Sequence, residues 1–320
     1  MAHESFITGL PQFKGNIHAH STLSDGRLEP GSIIAAYRRR GYDFFALSDH
    51  NRYFDTTDFD DTGFLVLPAV EYSVREPKDG FKGHHLQGIW GAPGPVTAAG
   101  SRRLGHGEVL DVFRWRGPHT VQRGVDHLRH SGLMVIYNHP AWSRLELDDL
   151  LNVTGVFAIE IYNHGCEVEE ALGLSTSLWD LMLRRGRRVF GVATDDVHRC
   201  PTVDAPDSDA FGGWIVVEAP ALTRDALAVA LGQGHFYAST GPEIHHYGLD
   251  GQRVVVECSP VRAIRFVAFE RRGVVRYGEG GAPLQGAEFA LHGDEIFVRV
   301  ECVAANGKVA WTNPIFPEDL

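Results

Sequence analysis

The sequence predicts an α/β protein with a mainly parallel sheet, followed by a small all-β region. The chain has 320 residues, which is enough for one large domain and a small second one. Short apolar runs alternate with helix-like segments up to about residue 240, as is typical of repeated βα units. From about residue 245 onward, β-type runs separated by turns replace this alternation.

The predicted strands of the first region are short apolar runs bounded by turn residues or helix-like segments. Because these runs are apolar on both faces, we expect them in a buried sheet. In chain order they are Phe13–Ile17, Tyr42–Leu47, Phe64–Leu67, His85–Trp90, Leu133–Tyr137, Val156–Ile161, Val189–Ala193 and Trp214–Val217.

Four segments between these strands carry helix start and stop signals. EPGSIIAAYRRRGY has a proline near its start and ends at Gly41, and TVQRGVDHLRHSG has helical apolar spacing before Gly132. EEALGLSTSLWDLMLRRG is predicted as one long helix that ends at Gly186. TRDALAVALGQG begins with the N-cap candidate Thr223 and ends at one of the two glycines of its GQG.

Two other regions have their own character. Residues 91–119 are rich in glycine, proline and arginine, which predicts a long loop or lid. After residue 243 the runs QRVVVECSP, AIRFVAFE, EIFVRVECV and GKVAWTN predict strands without a convincing helix. We therefore divide the chain into an α/β domain, residues 1–243, and a small β-sandwich-like domain, residues 244–320.

Charge and composition exclude several classes of protein. The chain carries 30 basic and 41 acidic residues, a net charge of −11 with neutral histidines. This balance argues against extended nucleic-acid binding, which needs many phosphate contacts, but it leaves room for a small phosphorylated substrate. No apolar run is long enough to span a membrane, and we expect no signal peptide. The four cysteines have no paired spacing, which indicates reduced thiols and a cytoplasmic location: Cys166, Cys200, Cys258 and Cys302. The sequence does not indicate an oligomeric state.

Histidines and carboxylates cluster next to the predicted strands. GNIHAHSTLSDG follows the first strand, ALSDHN the second and LPAVEYS the third; HHLQGIW opens the fourth, and VIYNHP and ATDDVH close the fifth and seventh. The carboxyl ends of parallel barrel strands converge on one face, where such enzymes carry their chemistry. One histidine beside a strand is more often structural, but so many imidazoles and carboxylates would perturb one another's pKa values unless divalent cations compensated them.

The residue types narrow the metal. Six imidazoles and three carboxylates, without a thiolate apart from the doubtful Cys200, suit Zn, Mn or Fe and are too rich in nitrogen for calcium. At three or four ligands per ion, with one bridging carboxylate, they would hold two or three divalent ions.

The order of these motifs resembles that of the PHP (polymerase and histidinol phosphatase) superfamily of metal-dependent phosphoesterases. The resemblance spans residues 15 to about 200 and follows H-x-H, Asp, D-H-N, Glu, a histidine before an apolar run, N-H-P and D-x-H. It implies a distorted (β/α)7, TIM-like barrel over residues 1–243 with a metal site on its C-terminal face. It also implies the ligand sets: His18, His20, Glu71 and Asp196 for one ion; Glu71 as a bridge, with His85 and His139, for a second; and Asp25, His50 and His198 for a third.

Two ligand positions are ambiguous between neighbours. The sequence HLQG after the histidine favours His85 over His84, because the family's histidine leads directly into such a run. The D-x-H spacing selects Asp196 over Asp195.

The expected activity is hydrolysis of a small phosphate ester by metal-bound hydroxide, held at Glu71 and Asp196. One alternative is a carboxylic or carbamic ester hydrolase of the same fold, because GKVAWTNPIF and the β-type tail resemble a PHP-related subgroup with such enzymes. A non-catalytic metal-binding regulatory module is the other alternative, against which the complete ligand set argues. Three arginines directly follow ligand motifs and are candidate substrate contacts, although an arginine in such a place is more often simply exposed: Arg52, Arg144 and Arg199. Asn163 and His164, which follow the sixth predicted strand, are further candidates.

Overall fold

The computed structural model describes residues 5–55, 57–77, 82–91, 102–199, 205, 207–269 and 271–317. Within these residues the strands are β1 (Ser5–Ile7), β2 (Gln12–Asn16), β3 (Phe44–Leu47), β4 (Leu65–Arg75), β5 (Gly83–Trp90), β6 (Leu133–Tyr137), β7 (Ala158–Asn163), β8 (Phe190–Thr194), β9 (Trp214–Glu218), β10 (Phe236–Ser239), β11 (Ile244–Asp250), β12 (Arg253–Val261), β13 (Ala263–Ala268), β14 (Val274–Tyr277), β15 (Leu284–Ala290), β16 (Val298–Val303) and β17 (Val309–Thr312). The helices are α1 (Pro30–Arg39), α2 (His119–His130), α3 (Leu147–Leu151), α4 (His164–Glu170), α5 (Thr176–Arg184) and α6 (Arg224–Gln233), with 3₁₀ turns at Thr57–Phe59 and Glu279–Gly281.

Thirteen strands form one mixed sheet, in the order β14-β13-β16-β17-β10-β9-β2-β3-β4-β5-β6-β7-β8. All eight strands predicted for the first region are present, as β2 to β9. Strands β2, β3 and β4 run parallel, and so do β6, β7 and β8. Strand β5 runs antiparallel to both β4 and β6. The carboxyl ends of the parallel strands therefore lie at one edge, where the predicted metal centre is expected.

The expected distorted (β/α)7, TIM-like barrel is not confirmed: among the described residues no ladder joins β8 to β9, so the sheet does not form a closed barrel. Here the side chain of Asn313, instead of a second strand, forms a hydrogen bond to the backbone of β8. The Asn313 Oδ1 accepts a hydrogen bond from the Gly191 amide of β8 at 3.0 Å. Its Nδ2 donates to the carbonyls of Gly234 and Phe236, at 3.1 and 3.0 Å. The prediction of a mainly parallel sheet also fails at β9, which runs antiparallel to β2, and at β5, which runs antiparallel to β4 and β6. At β5 the reason is that residues 76–82 are too few for a parallel crossover, which needs about a dozen residues.

The predicted long helix over EEALGLSTSLWDLMLRRG is divided in the structure. Helix α4 starts before this segment, where the Asn163 side chain accepts a hydrogen bond from the Cys166 amide, and it ends at Ala171 with φ 56°. A residue in the left-handed region ends a helix, so the chain turns before α5 begins. The predicted ends of α6 are confirmed, since Thr223 caps its start and Gly234, at φ 78°, caps its end. None of the helices in the described ranges is long and apolar enough to cross a membrane.

The chain after residue 243 contributes β11 to β17 to two sheets. Strands β11, β12 and β15 join β1 in an antiparallel four-stranded sheet, whereas β13, β14, β16 and β17 extend the large sheet through β10. Apolar side chains of both sheets, such as Val256, Phe266 and Val300, share one buried cluster, which is the packing of a β-sandwich. The division of the chain at residues 243 and 244 stays a prediction.

Two earlier expectations fall partly or wholly outside the described residues. Of the predicted lid, residues 92–101 lie outside, while residues 102–118 contain no helix or extended strand. Cys200 also lies outside. The cysteines within the described ranges are buried free thiols: Cys166, Cys258 and Cys302.

Arg299 joins the helical layer to the C-terminal strands. Its buried guanidinium contacts the Asp180 carboxylate of α5 at 2.8 and 2.9 Å, donates to Glu301 at 2.8 Å, and lies 4.7 Å from the Trp179 ring centre. Removing a buried ion-pair partner leaves uncompensated charge, so we expect Arg299→Ala to lower the free energy of unfolding by about 3–5 kcal/mol in urea denaturation.

A matched control for this prediction removes an exposed arginine. Arg253 pairs with Glu288, and both side chains are more than half exposed. Arg253→Ala should therefore cost less than about 1 kcal/mol. Equal costs for the two substitutions would contradict a structural role for Arg299.

Candidate metal centre

The structure brings all nine predicted ligands together at the edge where the parallel strands end. The side chains come from six places, namely the segments after β2 (His18, His20 and Asp25), β3 (His50), β6 (His139) and β8 (Asp196 and His198), and the strands β4 (Glu71) and β5 (His85). Four overlapping groups have ligand atoms within 4.8 Å of one another: His18, His20 and Glu71; His18, His139 and Asp196; His50, Glu71 and His85; and His20, Asp25, His50 and His198. The assignment of these residues to individual ions stays a prediction.

Glu71 lies at the centre of the cluster and is fully buried. Its Oε1 is 3.2 Å from both His85 Nδ1 and His139 Nε2. Its Oε2 is 3.3 Å from His20 Nε2 and 2.9 Å from His50 Nδ1. A carboxylate that faces different imidazoles with its two oxygens has the geometry of a bridging ligand.

Asp196 closes the other side of the cluster. Its Oδ1 lies 3.1 Å from His18 Nε2, 3.2 Å from His20 Nε2 and 3.3 Å from His198 Nδ1. Its Oδ2 is 3.9 Å from His139 Nε2. Asp196 and Glu71 therefore face the same pair of histidines, His18 and His20, from two directions.

Asp25 belongs to an outer, more exposed group. Its side chain is 57% exposed, and its oxygens lie 3.4 Å from His198 Nε2 and 3.6 Å from His50 Nε2. The turn that delivers it needs Gly26, because a Cβ at this position would lie 2.4 Å from the backbone of His20. Asp25 thus contacts the histidines that the sequence grouped with it.

Buried polar atoms at the centre lack hydrogen-bond partners. Glu71 Oε2, Asp196 Oδ1 and His85 Nδ1 are all buried, and no described residue completes a hydrogen bond with any of them. Leaving such atoms unsatisfied costs about 1–3 kcal/mol each, and more for a charged group. A divalent cation would use the lone pairs of all three, so the donor set fits a metal.

Backbone strain is concentrated at the same place. His139 has φ 26°, Asp196 has φ 55°, and Asn51, next to His50, has φ 52°. Side-chain-bearing residues rarely adopt these left-handed angles, which cost about 1–3 kcal/mol each and persist where the surroundings hold them. The strain aims His139 and Asp196 into the cluster.

A second set of residues holds the ligands, and the sequence interpretation did not include it. Glu160, fully buried in β7, lies 2.6 Å from His18 Nδ1 and accepts a hydrogen bond from the His139 amide at 2.7 Å. Asn138 donates to Glu71 at 2.7 Å. The only signal for Glu160 was a single carboxylate inside the apolar run VFAIEIY, and Asn138 was part of the N-H-P motif.

The two ambiguous positions have clear placements. His85 points to Glu71, whereas the adjacent His84 faces the other way and contacts the Tyr137 hydroxyl at 2.6 Å. Asp196 faces the cluster, whereas Asp195 accepts hydrogen bonds from the Tyr37 hydroxyl and three backbone amides. His84 and Asp195 therefore have structural partners of their own.

The predicted substrate contacts lie in different surroundings. Arg199 lines the cavity above the metal centre and pairs with Glu169, whereas the Arg144 guanidinium pairs with Glu170 at 2.9 Å. Asn163 donates to Asp196 at 3.1 Å, so it contacts a ligand directly. His164 contacts the Tyr162 hydroxyl at 3.0 Å, and the Arg52 backbone forms an isolated bridge with Val109. The side chains of His164, Arg52 and Arg144 do not line the cavity.

The cavity over the ligands has a volume of about 360 Å³. Arg27 and Arg75 line it, although the sequence interpretation did not include them, and neither forms an ion pair with another described residue. Trp142 lines it as well, and its buried Nε1 has no hydrogen-bond partner in the described part of the chain. The cavity therefore combines a metal-binding floor with two arginines that could contact an anion, in a wall that also holds the carboxylates of Glu169, Asp207 and Asp209.

Several imidazoles of the cluster hold their protons more tightly than a free histidine, whereas burial lowers the pKa of His85. Burial lowers the pKa of His198, but the Asp196 carboxylate and the hydrogen bond that His198 donates to Asp25 outweigh it and raise that pKa to about 9. Burial is likewise outweighed by Glu71 at His50 and His139, whose pKa values are raised. Because a metal must displace these protons, we expect its apparent affinity to rise with pH up to about 9 and its binding to release protons.

The raised pKa of His198 also affects folding: without metal, the stability of the protein should fall as the pH rises, whereas the metal affinity should increase. The folded-state pKa of His198 lies above the unfolded value of about 6.5. Its contribution to stability is therefore fully present below about pH 6.5 and is lost as the pH rises through about 9. Metal titrations and urea denaturation of the metal-free protein over this pH range test both statements. A pH-independent metal affinity would contradict the first.

Comparison with known proteins gives structural similarities at low sequence identity. No family model matches the chain, and no curated protein matches it. A two-domain protein from Bacteroides vulgatus that contains a predicted PHP-like metal-dependent phosphoesterase is 15% identical, over 97% of this chain and 96% of that chain, with a TM-score of 0.47. A candidate metal-dependent phosphoesterase from Bifidobacterium adolescentis is 14% identical, over 58% and 88% of the two chains, with a TM-score of 0.37.

A third solved structure is an amidohydrolase from Chromobacterium violaceum with bound sulfate and no metal. It is 17% identical, over 61% of this chain and 93% of that chain, with a TM-score of 0.37. The similarity thus spans nearly the whole chain for the two-domain protein, and more than half of it for the protein named a metal-dependent phosphoesterase and for the amidohydrolase.

Proposed function

We propose that the protein is a metal-dependent hydrolase that cleaves a small phosphate ester. The observation that carries this proposal is the convergence of six imidazoles and three carboxylates, with unsatisfied buried ligand atoms, at the floor of an open cavity. Zn, Mn or Fe suits this donor set, and the nine ligands suffice for two or three ions. Such ions would supply an activated water for attack and polarise the ester.

The roles of the protein's own residues follow from their placement. Glu71 and Asp196 hold the centre together, because each faces His18 and His20. Arg27 and Arg75 orient the anionic ester, since a guanidinium can donate to two phosphate oxygens at once. These donors favour a phosphate over a neutral carboxylic or carbamic ester, because only the phosphate brings the charge that the arginines compensate.

A substrate screen tests this proposal. The purified protein is loaded with Mn, Zn or Fe(II) and assayed with phosphomonoesters, phosphodiesters and aryl carboxylic esters, alongside Asp196→Asn. We expect metal-dependent turnover of a phosphate ester that the variant lacks. Turnover of aryl carboxylic esters alone would replace the phosphoesterase proposal with the ester hydrolase. Metal binding without turnover of any ester would favour a regulatory module.

A further inference from the structure

A groove continues from the metal cavity along the protein surface. Asp25, His50 and Arg75 line both the cavity and the groove, so that one molecule bound at the metals can extend into the groove. The groove has a volume of about 670 Å³. This lies within the range of small-molecule sites, about 300–1,000 Å³.

The wall of the groove away from the metals is largely apolar. Val112, Phe113, Trp115 and Pro77 line it, with Arg114 and Glu76 among its polar residues. Val112 is 49% exposed, so its side chain is available for contact. This wall therefore offers apolar surface that solvent covers in the protein alone, and binding an apolar group there would remove that surface from water.

Trp115 is held in place from behind. Its ring stacks on that of His84, with centroids 5.6 Å apart and an interplanar angle of 11°. His84 is fixed in turn by the Tyr137 hydroxyl at 2.6 Å and by Glu76 at 3.1 Å. A ring that is already ordered loses little conformational freedom when a ligand packs against it, which favours binding.

We propose that this groove binds the alcohol portion of the ester and that this portion is an apolar, ring-bearing group. The inference rests on the proposed function, because it places the phosphate at the metals beside Arg75. Hydrolysis adds water across the P–O bond, so the phosphate keeps the water oxygen and the alcohol leaves with a proton. The alcohol portion then lies on the groove side of Arg75, where the apolar wall begins.

Binding of the alcohol alone tests the groove without any hydrolysis. Methylumbelliferone, a fluorescent ring-bearing alcohol, is titrated with the wild type and with Val112→Asp, and binding is followed by fluorescence anisotropy. Since a charge on the wall replaces apolar contact, Val112→Asp should weaken binding about tenfold or more. The matched control is Val109→Asp, on the same segment, where Val109 is 63% exposed and does not line the groove. An absence of wild-type binding, or an equal loss in both variants, would overturn the inference.

Kinetics then separate this inference from the proposed function. Methylumbelliferyl phosphate and methyl phosphate carry the same ester group on a large and a small alcohol. Val112→Asp should lower kcat/KM for the large ester about tenfold relative to the small one, and Val109→Asp should leave the ratio unchanged. If the alcohol binds but no phosphate ester is hydrolysed, the groove stands and the proposed function fails. If both esters are hydrolysed and Val112→Asp leaves their ratio unchanged, the groove inference fails alone.

Discussion

The substitution Glu71→Gln is expected to abolish hydrolysis and most metal binding while the fold persists. Burial raises the pKa of Glu71, but the surrounding imidazoles, led by His85 and His18, outweigh it and hold this pKa well below its usual range. Glu71 is therefore a carboxylate at neutral pH, and glutamine keeps its shape without its charge. Bound metal ions stabilise the transition state of such reactions by several kcal/mol, so we expect kcat/KM to fall about 10³-fold or more when the metal is lost.

Metal content and turnover are measured together on gel-filtered protein. The matched control is Glu288→Gln, which makes the same chemical change far from the cluster, where Glu288 pairs with Arg253 and both side chains are exposed. The control should keep wild-type metal content and turnover. A metal-depleted Glu71→Gln enzyme that works at the wild-type rate would contradict the metal-dependent proposal.

The sequence could predict which side chains would meet, because the rule behind that prediction is local. His18 and His20 are one residue apart on extended backbone, so both side chains project to the same face. The other motifs lie at or near strand ends that converge in any sheet of mainly parallel strands. Glu71 shows the limit of this rule, since β4 extends to Arg75 and places Glu71 inside the strand.

Closure of the sheet could not be predicted in this way. It depends on whether β8 pairs with β9, and here Asn313, more than a hundred residues after β8, contacts Gly191 of β8 instead. The direction of β5 depends on the segment that joins it to β4. The local pattern of apolar residues is the same for parallel and antiparallel buried strands, so it carried no information about either feature.

Glu160 was missed for a related reason. It lies in an apolar strand without a histidine or carboxylate motif around it, and only the fold shows that it lies beneath His18. Its Oε1 accepts hydrogen bonds from His18 Nδ1 and from the Thr194 hydroxyl, each at 2.6 Å. Its Oε2 accepts from the His139 amide at 2.7 Å and from Asn163 Nδ2 at 2.9 Å. Both oxygens therefore act as acceptors, which a carboxylate provides and an amide does not.

Glu160→Gln should consequently weaken metal binding about 10- to 100-fold, although Glu160 is not among the predicted ligands. An amide nitrogen at the Oε2 position would face two donors. At the Oε1 position it would favour the His18 tautomer with its proton on Nε2, the nitrogen that must bind the metal. Metal competition with a chelator measures the affinity, and ¹⁵N NMR of His18 reports the tautomer, which a general loss of stability would not change. Thr194→Val is the matched control, because it removes one hydrogen bond to Glu160 and leaves the carboxylate facing His18. Wild-type metal affinity in Glu160→Gln would show that His18 is oriented without this carboxylate.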